Sequence, residues 1–313
     1  MTPVMGRPQR EVFGTTLATL ADTDPRIFVL DGDVGSSTRA DLFEKAHPDR
    51  YLQMGIAEQN MLGVAAGLST MGLVPFISTF VAFAVVRPLD QVRVLIAQTG
   101  ANVKITPSYG GLFTGQTGMS HIVVNDLAIM RSLPRMVTVV PADDIEAAEV
   151  LRWAAGYEGP CYVRLGRDAA PRLFDDDHRF RFGAAEIVRE GGDVTLISTG
   201  AQTARCVQAA DLLAAEGIDA HVLHVPTLKP LDVDAVVAAA ERTGRVITVE
   251  EHSVLGGLGG AIAETLGEHR PTPVHRIGLR DVDVQSGPNE ALLDIYGLSA
   301  ARVAEQVRAI LGA

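Results

Sequence analysis

Met54-Gly-Ile-Ala-Glu-Gln-Asn-Met-Leu-Gly-Val-Ala-Ala-Gly-Leu68, with the run Val74-Pro-Phe-Ile-Ser78 that follows it, decides how the chain is read. From Ala57 onward the apolar residues Met61, Val64, Ala65 and Leu68 recur at helical spacing. A short β-rich run then takes over. The same alternation extends in both directions. Strands are expected at 27–31, 74–78, 103–106, 137–140 and 162–165, and helices at 57–71, 81–98, 126–133 and 143–155. Pro141-Ala-Asp-Asp before Ile145 reads as a helix start with acids in its first turn. Short strands separated by longer Ala/Leu-rich helices predict an α/β architecture: an open, mainly parallel sheet covered on both faces.

A second unit of the same kind follows, with strands expected at 194–198, 220–225, 246–250 and 274–277 and helices at 204–216, 232–242, 259–267 and 300–311. Between the two lies a stretch with Pro171, Arg172, Arg179, Arg181 and three consecutive Asp at 175–177. A charge run of this kind reads as a solvated connection. The expected organisation is therefore a domain over 1–170, a linker over 171–183 and a second domain over 184–313.

The 313 residues, 47% of them hydrophobic, suit roughly two domains and a core that needs no disulfides. The net charge of −11 and the lack of a Lys/Arg-rich run argue against a nucleic-acid binder. Two cysteines, Cys161 and Cys206, form no disulfide framework or metal pattern and read as small buried hydrophobes. The first residues lack an apolar signal core, and no apolar run reaches the roughly 18 residues that a membrane span needs. A cytoplasmic protein with no membrane or nucleic-acid partner is expected.

Several segments hold residues suited to chemistry. Glu58 falls in the first turn of its helix, where an acid complements the helix dipole without further purpose. Gly55, Gly63 and Gly67 weaken that bland reading, because glycine is costly inside a helix and lets a backbone or ligand approach closely. Phe80 and Phe83 are three apart just after a strand, a spacing that in isolation suits core packing. The segment Arg87-Pro-Leu-Asp-Gln-Val-Arg93 offers a charged face to water or a partner. Residues 108–121 form a Gly-rich loop after a strand, where ligands bind in open α/β sheets, and end in His121, a candidate polar contact or proton shuttle. No phosphate-binding P-loop, dinucleotide fingerprint, nucleophile elbow or metal-ligand cluster is present. The residues alone leave the chemistry open.

Taken in order, Asp31-Gly-Asp-Val-Gly-Ser36, the MGIAEQNM run at 54–61, STFVAF at 78–83, RPLDQVR at 87–93, TGMSHI at 117–122, VVPADD at 139–144, YVRLGRD at 162–168 and EEHSVLGGLGG at 250–260 form a set that resembles the C-terminal half of transketolase. The resemblance covers nearly the whole chain. That family has three α/β domains, and this chain resembles the second, which holds the aminopyrimidine of thiamine diphosphate, and the third. The family's diphosphate-and-metal signature, GDG with a later Asn, is not found: Asp31-Gly-Asp33 lies in the first strand and loop of the pyrimidine domain, where the chain begins with its own Met. The resemblance thus implies one subunit of a split enzyme, active only with an N-terminal partner subunit that supplies the Mg2+ and diphosphate contacts, in an α2β2 heterotetramer.

Roles follow by the same resemblance. Glu58 is expected to hydrogen-bond the pyrimidine ring nitrogen and so favour the imino tautomer that generates the thiazolium ylide. Phe80 and Phe83 would pack around the pyrimidine, and Asp33 and Val34 would line the cofactor ring. His121 would stand near the donor hydroxyls and the reactive carbon, and Arg167 would grip a substrate phosphate. The implied reaction moves a two-carbon ketol unit from a ketose to an aldehyde acceptor, both small sugar-like molecules. Two departures stand out. The family's Gly-Glu-Asp-Gly is Gly115-Gln-Thr-Gly118 here, so Gln116 and Thr117 replace two acids, and Tyr109 stands where a phosphate-contacting His is usual. An acceptor pocket altered from that for standard pentose phosphates, in a specialised pathway, is the expectation. The β-subunit of a 2-oxoacid dehydrogenase first component shares the layout and the Glu, and a cofactor-free scaffold homologue is the non-enzymatic alternative.

Overall fold

Strand β1 (Ile27–Asp31) is buried at four of its five positions, the pattern of a parallel strand covered by helices on both faces. The computed structural model, which describes residues 4–312, builds two sheets outward from strands of this kind. The first contains β1, β2 (Tyr51–Gln53), β3 (Val74–Ser78), β4 (Lys104–Ile105), β5 (Val137–Val139) and β6 (Cys161–Val163). The second contains β7 (Glu186–Arg189), β8 (Val194–Ser198), β9 (Ala220–His224), β11 (Val246–Ser253) and β12 (Val274–Leu279). β10 (Thr227–Lys229) follows β9 in sequence but joins the first sheet. The strand orders are β10-β5-β6-β4-β3-β1-β2 and β12-β11-β8-β9-β7. Every pairing in the first sheet is parallel except β10 with β5, and every pairing in the second except β7 with β9. The expected architecture, two mainly parallel α/β sheets, is the observed one.

Several elements differ from expectation. The helix expected over 81–98 is broken into Val81–Val85, Leu89–Gln91 and a π-helical turn over Val92–Ala97. Pro88 has no N–H to give to the helical ladder, so the chain breaks there. The break turns Arg87 back onto the start of helix Glu58–Thr70. Strands β2, β7 and β10 have three or four residues each, too few to show a period, and were not expected. The opening helix Gln9–Ala21 was missed as well. The stretch 171–183, expected to be a solvated connection, is instead fastened down at its start. The N–H groups of Leu173 and Phe174 donate to Asp143 Oδ2 at 2.7 and 2.9 Å, and Arg172 pairs with Asp144 at 2.9 Å. Its three aspartates, Asp175, Asp176 and Asp177, do stand in solvent.

One apolar cluster runs between the sheets, joining Leu30, Met61 and Ile77 of the first to Leu223, Val236 and Leu258 of the second. A second cluster unites Leu112 and Phe113, from the Gly-rich loop, with Ile247, Ile277 and Leu292. Burying two such side chains contributes roughly 1.5–3 kcal/mol each, so the loop is anchored by the later half of the chain. Both cysteines are free and buried, as expected. Among the described residues no helix is long and apolar enough to cross a membrane.

Candidate functional site

β1, β3, β4 and β6 run parallel, so their C-terminal ends lie along one edge of the sheet. That edge carries Asp33 and Val34 after β1, Phe80 after β3, Tyr109 after β4 and Arg167 after β6. It is the place where open α/β sheets bind ligands. The ladder continues past β3 and β4 as a parallel bridge between Phe80 and Ser108, which brings Tyr109, the residue after Ser108, close to Phe80.

Glu58 is the first residue of helix Glu58–Thr70 and is 1% exposed. Its Oε2 accepts from Arg87 Nη1 at 2.7 Å. Its Oε1, equally buried, meets no donor among the described residues. A buried polar atom left without a partner costs about 1–3 kcal/mol, and a carboxylate oxygen in that state marks a place for a donor from outside the chain. A protonated ring nitrogen of an aminopyrimidine is such a donor, so the residue fits the group that the resemblance implies. The hydroxyls of Thr79 and Ser108, at the same edge, are buried and unpaired in the same way.

An aromatic wall adjoins the carboxylate. The Phe80 and Phe83 rings lie 5.8 Å apart, and the His121 ring meets Phe83 edge-on at 5.3 Å and Phe80 at 5.8 Å. The Arg87 guanidinium lies over Phe83 at 4.5 Å, a cation–π contact that links the wall to Glu58. On its other side Phe80 stacks on Tyr109 at 3.9 Å. Tyr109 adopts a left-handed φ of 70°, a conformation that costs a residue with a side chain about 1–3 kcal/mol and is common at ligand sites. Two cations flank its ring. Arg10 Nη1 lies 3.2 Å from the phenol oxygen, and the Arg167 guanidinium lies 5.4 Å from the ring centre.

Asp33 and Val34 are held by a buried neighbour. Asp31 Oδ2 accepts the Val34 N–H at 2.9 Å, and Asp31 Oδ1 accepts from Ser78 at 3.1 Å. Burial pushes the Asp31 carboxyl up, while those donors pull against it. Asp33 is exposed at φ 64° and accepts from Gln53 at 3.2 Å.

The structure therefore brings together Glu58, Phe80, Phe83, Tyr109, His121 and Arg167, with Asp33 and Val34 further along the same edge. Gln116 and Thr117 do not join that group by hydrogen bond or ring contact. Both lie exposed in a short turn, Gly115–Thr117, and the Thr117 hydroxyl donates back to Thr114 O at 2.6 Å. Arg10 and Arg87 were not foreseen as site residues. The Pro after Arg87 was the available signal for one, because it breaks the helix and redirects the side chain. Arg10 sits on a helix that the sequence did not announce. Among the described residues no group of three His, Cys, Asp or Glu is placed to hold a metal ion.

Two parallel-sheet units, with a buried acid and an aromatic wall at the strand ends of the first, define a pyrimidine-binding domain followed by a C-terminal domain of the transketolase type. Residues 7–172 match the transketolase pyrimidine-binding domain and residues 183–303 the transketolase C-terminal domain, and the chain belongs to the transketolase family. It is 40% identical over 294 residues to the 6-deoxy-6-sulfo-D-fructose transketolase subunit SqwH of Clostridium sp. (strain MSTE9), covering 94% of this chain and 91% of the relative. It is 39% identical over 290 residues to an apulose-4-phosphate transketolase subunit of Phocaeicola vulgatus, covering 92% and 93%. A solved split-gene transketolase, in the form of an inactive β4 tetramer, superposes with a TM-score of 0.88 at 46% identity over 97% of both chains. The chain thus carries the pyrimidine-binding and C-terminal domains and is similar over nearly its whole length to split transketolase subunits.

Proposed function

We propose that this chain is the pyrimidine-side subunit of an enzyme that transfers a two-carbon ketol unit between sugar-like molecules. The observation that carries the reading is Glu58 Oε1, a buried carboxylate oxygen without a donor at a ligand-binding edge. When bound, thiamine diphosphate supplies the nucleophilic carbon and the electron sink for breaking a carbon–carbon bond. Glu58 holds a proton at the pyrimidine ring nitrogen through Oε1, while Arg87 fixes its other oxygen. Phe80 and Phe83 pack against the pyrimidine and exclude water from it, and Asp33 and Val34 line the ring from the loop after β1. His121, on the rim of the wall, meets the donor hydroxyls.

Arg167 binds the anionic end of the substrate, and Arg10 and the phenol of Tyr109 adjoin it. Gln116 and Thr117 stand further out and shape the acceptor side. The two named relatives carry a sulfonate and a phosphate in the names of their substrates, which supports an anion-ended ketose and a specialised pathway. No metal cluster lies among the described residues, and the Mg2+ and diphosphate contacts are assigned to an N-terminal partner subunit, in an α2β2 assembly. The helix that begins at Glu58 supports this, because its Gly63 and Gly67 face open space. The free buried cysteines and the composition favour the cytoplasm.

The test is reconstitution with an N-terminal transketolase subunit that carries the diphosphate and Mg2+ contacts. Cofactor-dependent ketol transfer is expected from the pair and from neither chain alone. Oxidative decarboxylation of a 2-oxoacid by the pair, or transfer that survives Glu58→Ala, would overturn the reading.

A further inference from the structure

We infer that Asn289, in the later half of the chain, is a positioning residue for the anion-binding end of the site. The inference rests on the reading of Arg167 as the anion grip. Asn289 heads helix Asn289–Ile295, and its side-chain amide contacts two segments of the first sheet's edge at once. Its Nδ2 donates to Asp168 Oδ2 at 2.8 Å and to Phe113 O at 3.3 Å, and its Oδ1 accepts from Gly115 N at 3.2 Å. Asp168 in turn accepts from Arg167 Nη1 at 2.7 Å through its other oxygen. The relay therefore runs from Asn289 through Asp168 to Arg167, and the same amide grips the Gly-rich loop.

The geometry gives this relay a purpose beyond packing. Arg167 and Asp168 are each about a third exposed, so their ion pair by itself has little reason to hold one conformation. Asn289 takes the second carboxylate oxygen of Asp168 and removes that freedom. Arg167 is left with its Nε buried and without an acceptor among the described residues, beside the Tyr109 ring. A guanidinium held at one corner with a free N–H elsewhere is prepared for an oxyanion. Asn289 also shares the negative charge of Asp168, which would otherwise compete with the anion for Arg167.

A neighbouring carboxylate holds the loop independently. Glu251 Oε1, from β11, accepts from Phe113 N at 3.1 Å and from Leu112 N. A side chain at Gly111, where φ is 69°, would collide with that oxygen, so this approach requires glycine. The loop is thus secured by Glu251 as well as by Asn289, and only Asn289 reaches Asp168. Loss of Asn289 should therefore disturb Arg167 more than it disturbs the loop.

The experiment uses the chain assembled with its partner subunit and compares donors with and without an anionic end. A ketose phosphate and a ketose sulfonate are the two anionic probes, and erythrulose is the neutral one; the anionic probe with the higher kcat/KM identifies the native anion. For Asn289→Ala, KM for the anionic donor is expected to rise about tenfold, with kcat within about twofold and KM for erythrulose unchanged. Asn289→Asp keeps an acceptor for Gly115 N but faces Asp168 with a second charge, so its KM for the anionic donor should rise further. A thermal melt confirms that both variants are folded. Equal effects on charged and neutral donors, or recovery of the anionic donor in Asn289→Asp, would make Asn289 a structural loop contact and overturn the inference. Arg167→Ala is the separating control. If it discriminates between the donors while Asn289→Ala does not, the relay alone fails; if it does not, the anion reading of Arg167 fails and the relay falls with it.

Discussion

Glu58 and Arg87 share a single hydrogen bond of 2.7 Å, and that bond engages only one of the two carboxylate oxygens. The guanidinium is 44% exposed and the carboxylate 1%, so the pair reaches from the surface into the site. A structural ion pair would gain by a second contact. This one leaves the inner oxygen free.

Replacing the acid without changing its shape should separate activity from stability. In Glu58→Gln, ketol transfer by the reconstituted pair is expected to fall about 10²–10⁴-fold, the range for a lost proton-transfer group. The melting temperature should change little, because the amide oxygen can still accept from Arg87, and the cation left behind is 44% exposed. Activity within threefold of the parent would refute the assigned role.

Arg87→Met keeps a long apolar stem over Phe83 and removes the charge. The exposed side of the pair weakens its contribution, so a loss of about 1–2 kcal/mol in stability is expected rather than the larger value for a fully buried pair. Turnover should drop about tenfold as Glu58 loses its anchor. A chemical denaturation series with steady-state rates would read both quantities.

Beyond their own helix backbone and chain neighbours, Gly63 and Gly67 have no described atom within 4 Å of where a side chain would begin. Leucine at either position should therefore stabilise the isolated chain by about 1 kcal/mol through helix propensity. If that face receives another subunit, the same substitution should abolish assembly and activity. Light scattering of the mixture, beside a melt of the chain alone, distinguishes a blocked interface from a damaged fold.

Acid should loosen the contact between the halves of the chain at Glu146. Burial alone would raise this carboxyl, but His224, at 2.9 Å, together with His178 and the Ala142 N–H, overcomes burial and holds it down to about 2. Its stabilisation is complete above the ordinary carboxylate value and is lost as pH falls from about 4.5 toward 2, on the order of 3 kcal/mol. His178 runs the other way. Burial pulls it down, but Glu146 outweighs that and raises it, so its contribution is present below about pH 6.5 and fades as pH rises past its folded value. Glu146→Gln should flatten the acid limb of a stability-against-pH curve. An unchanged limb would assign it to other carboxylates.

The parts legible in the sequence were those with a repeating signal. β1, β3 and β8 were expected where they occur, because each is a five-residue run of mainly apolar, mostly buried residues. Glu58 stood out through the glycines of its helix and the order of the motifs around it. Geometry created by long-range folding was not legible. Pro88 marks a break in the helix but not that the Arg87 side chain returns to position 58, and nothing near 289 says that it meets position 168. Both contacts depend on where separate strands and helices come to lie, which periodicity does not encode. The three-residue strands β2 and β10 escaped for the simpler reason that they are held by their neighbours in the sheet and not by a pattern of their own.

β10 has a consequence for how this protein can be divided. The later half of the chain lends Thr227–Lys229 to β5, bonding along what would otherwise be the bare margin of the first sheet. A fragment cut near residue 183 would keep every expected strand of the pyrimidine-binding unit and still expose that margin, with its unmet N–H and C=O groups, to any passing chain. The two units are readable as modules in the sequence, but they are not separable as reagents.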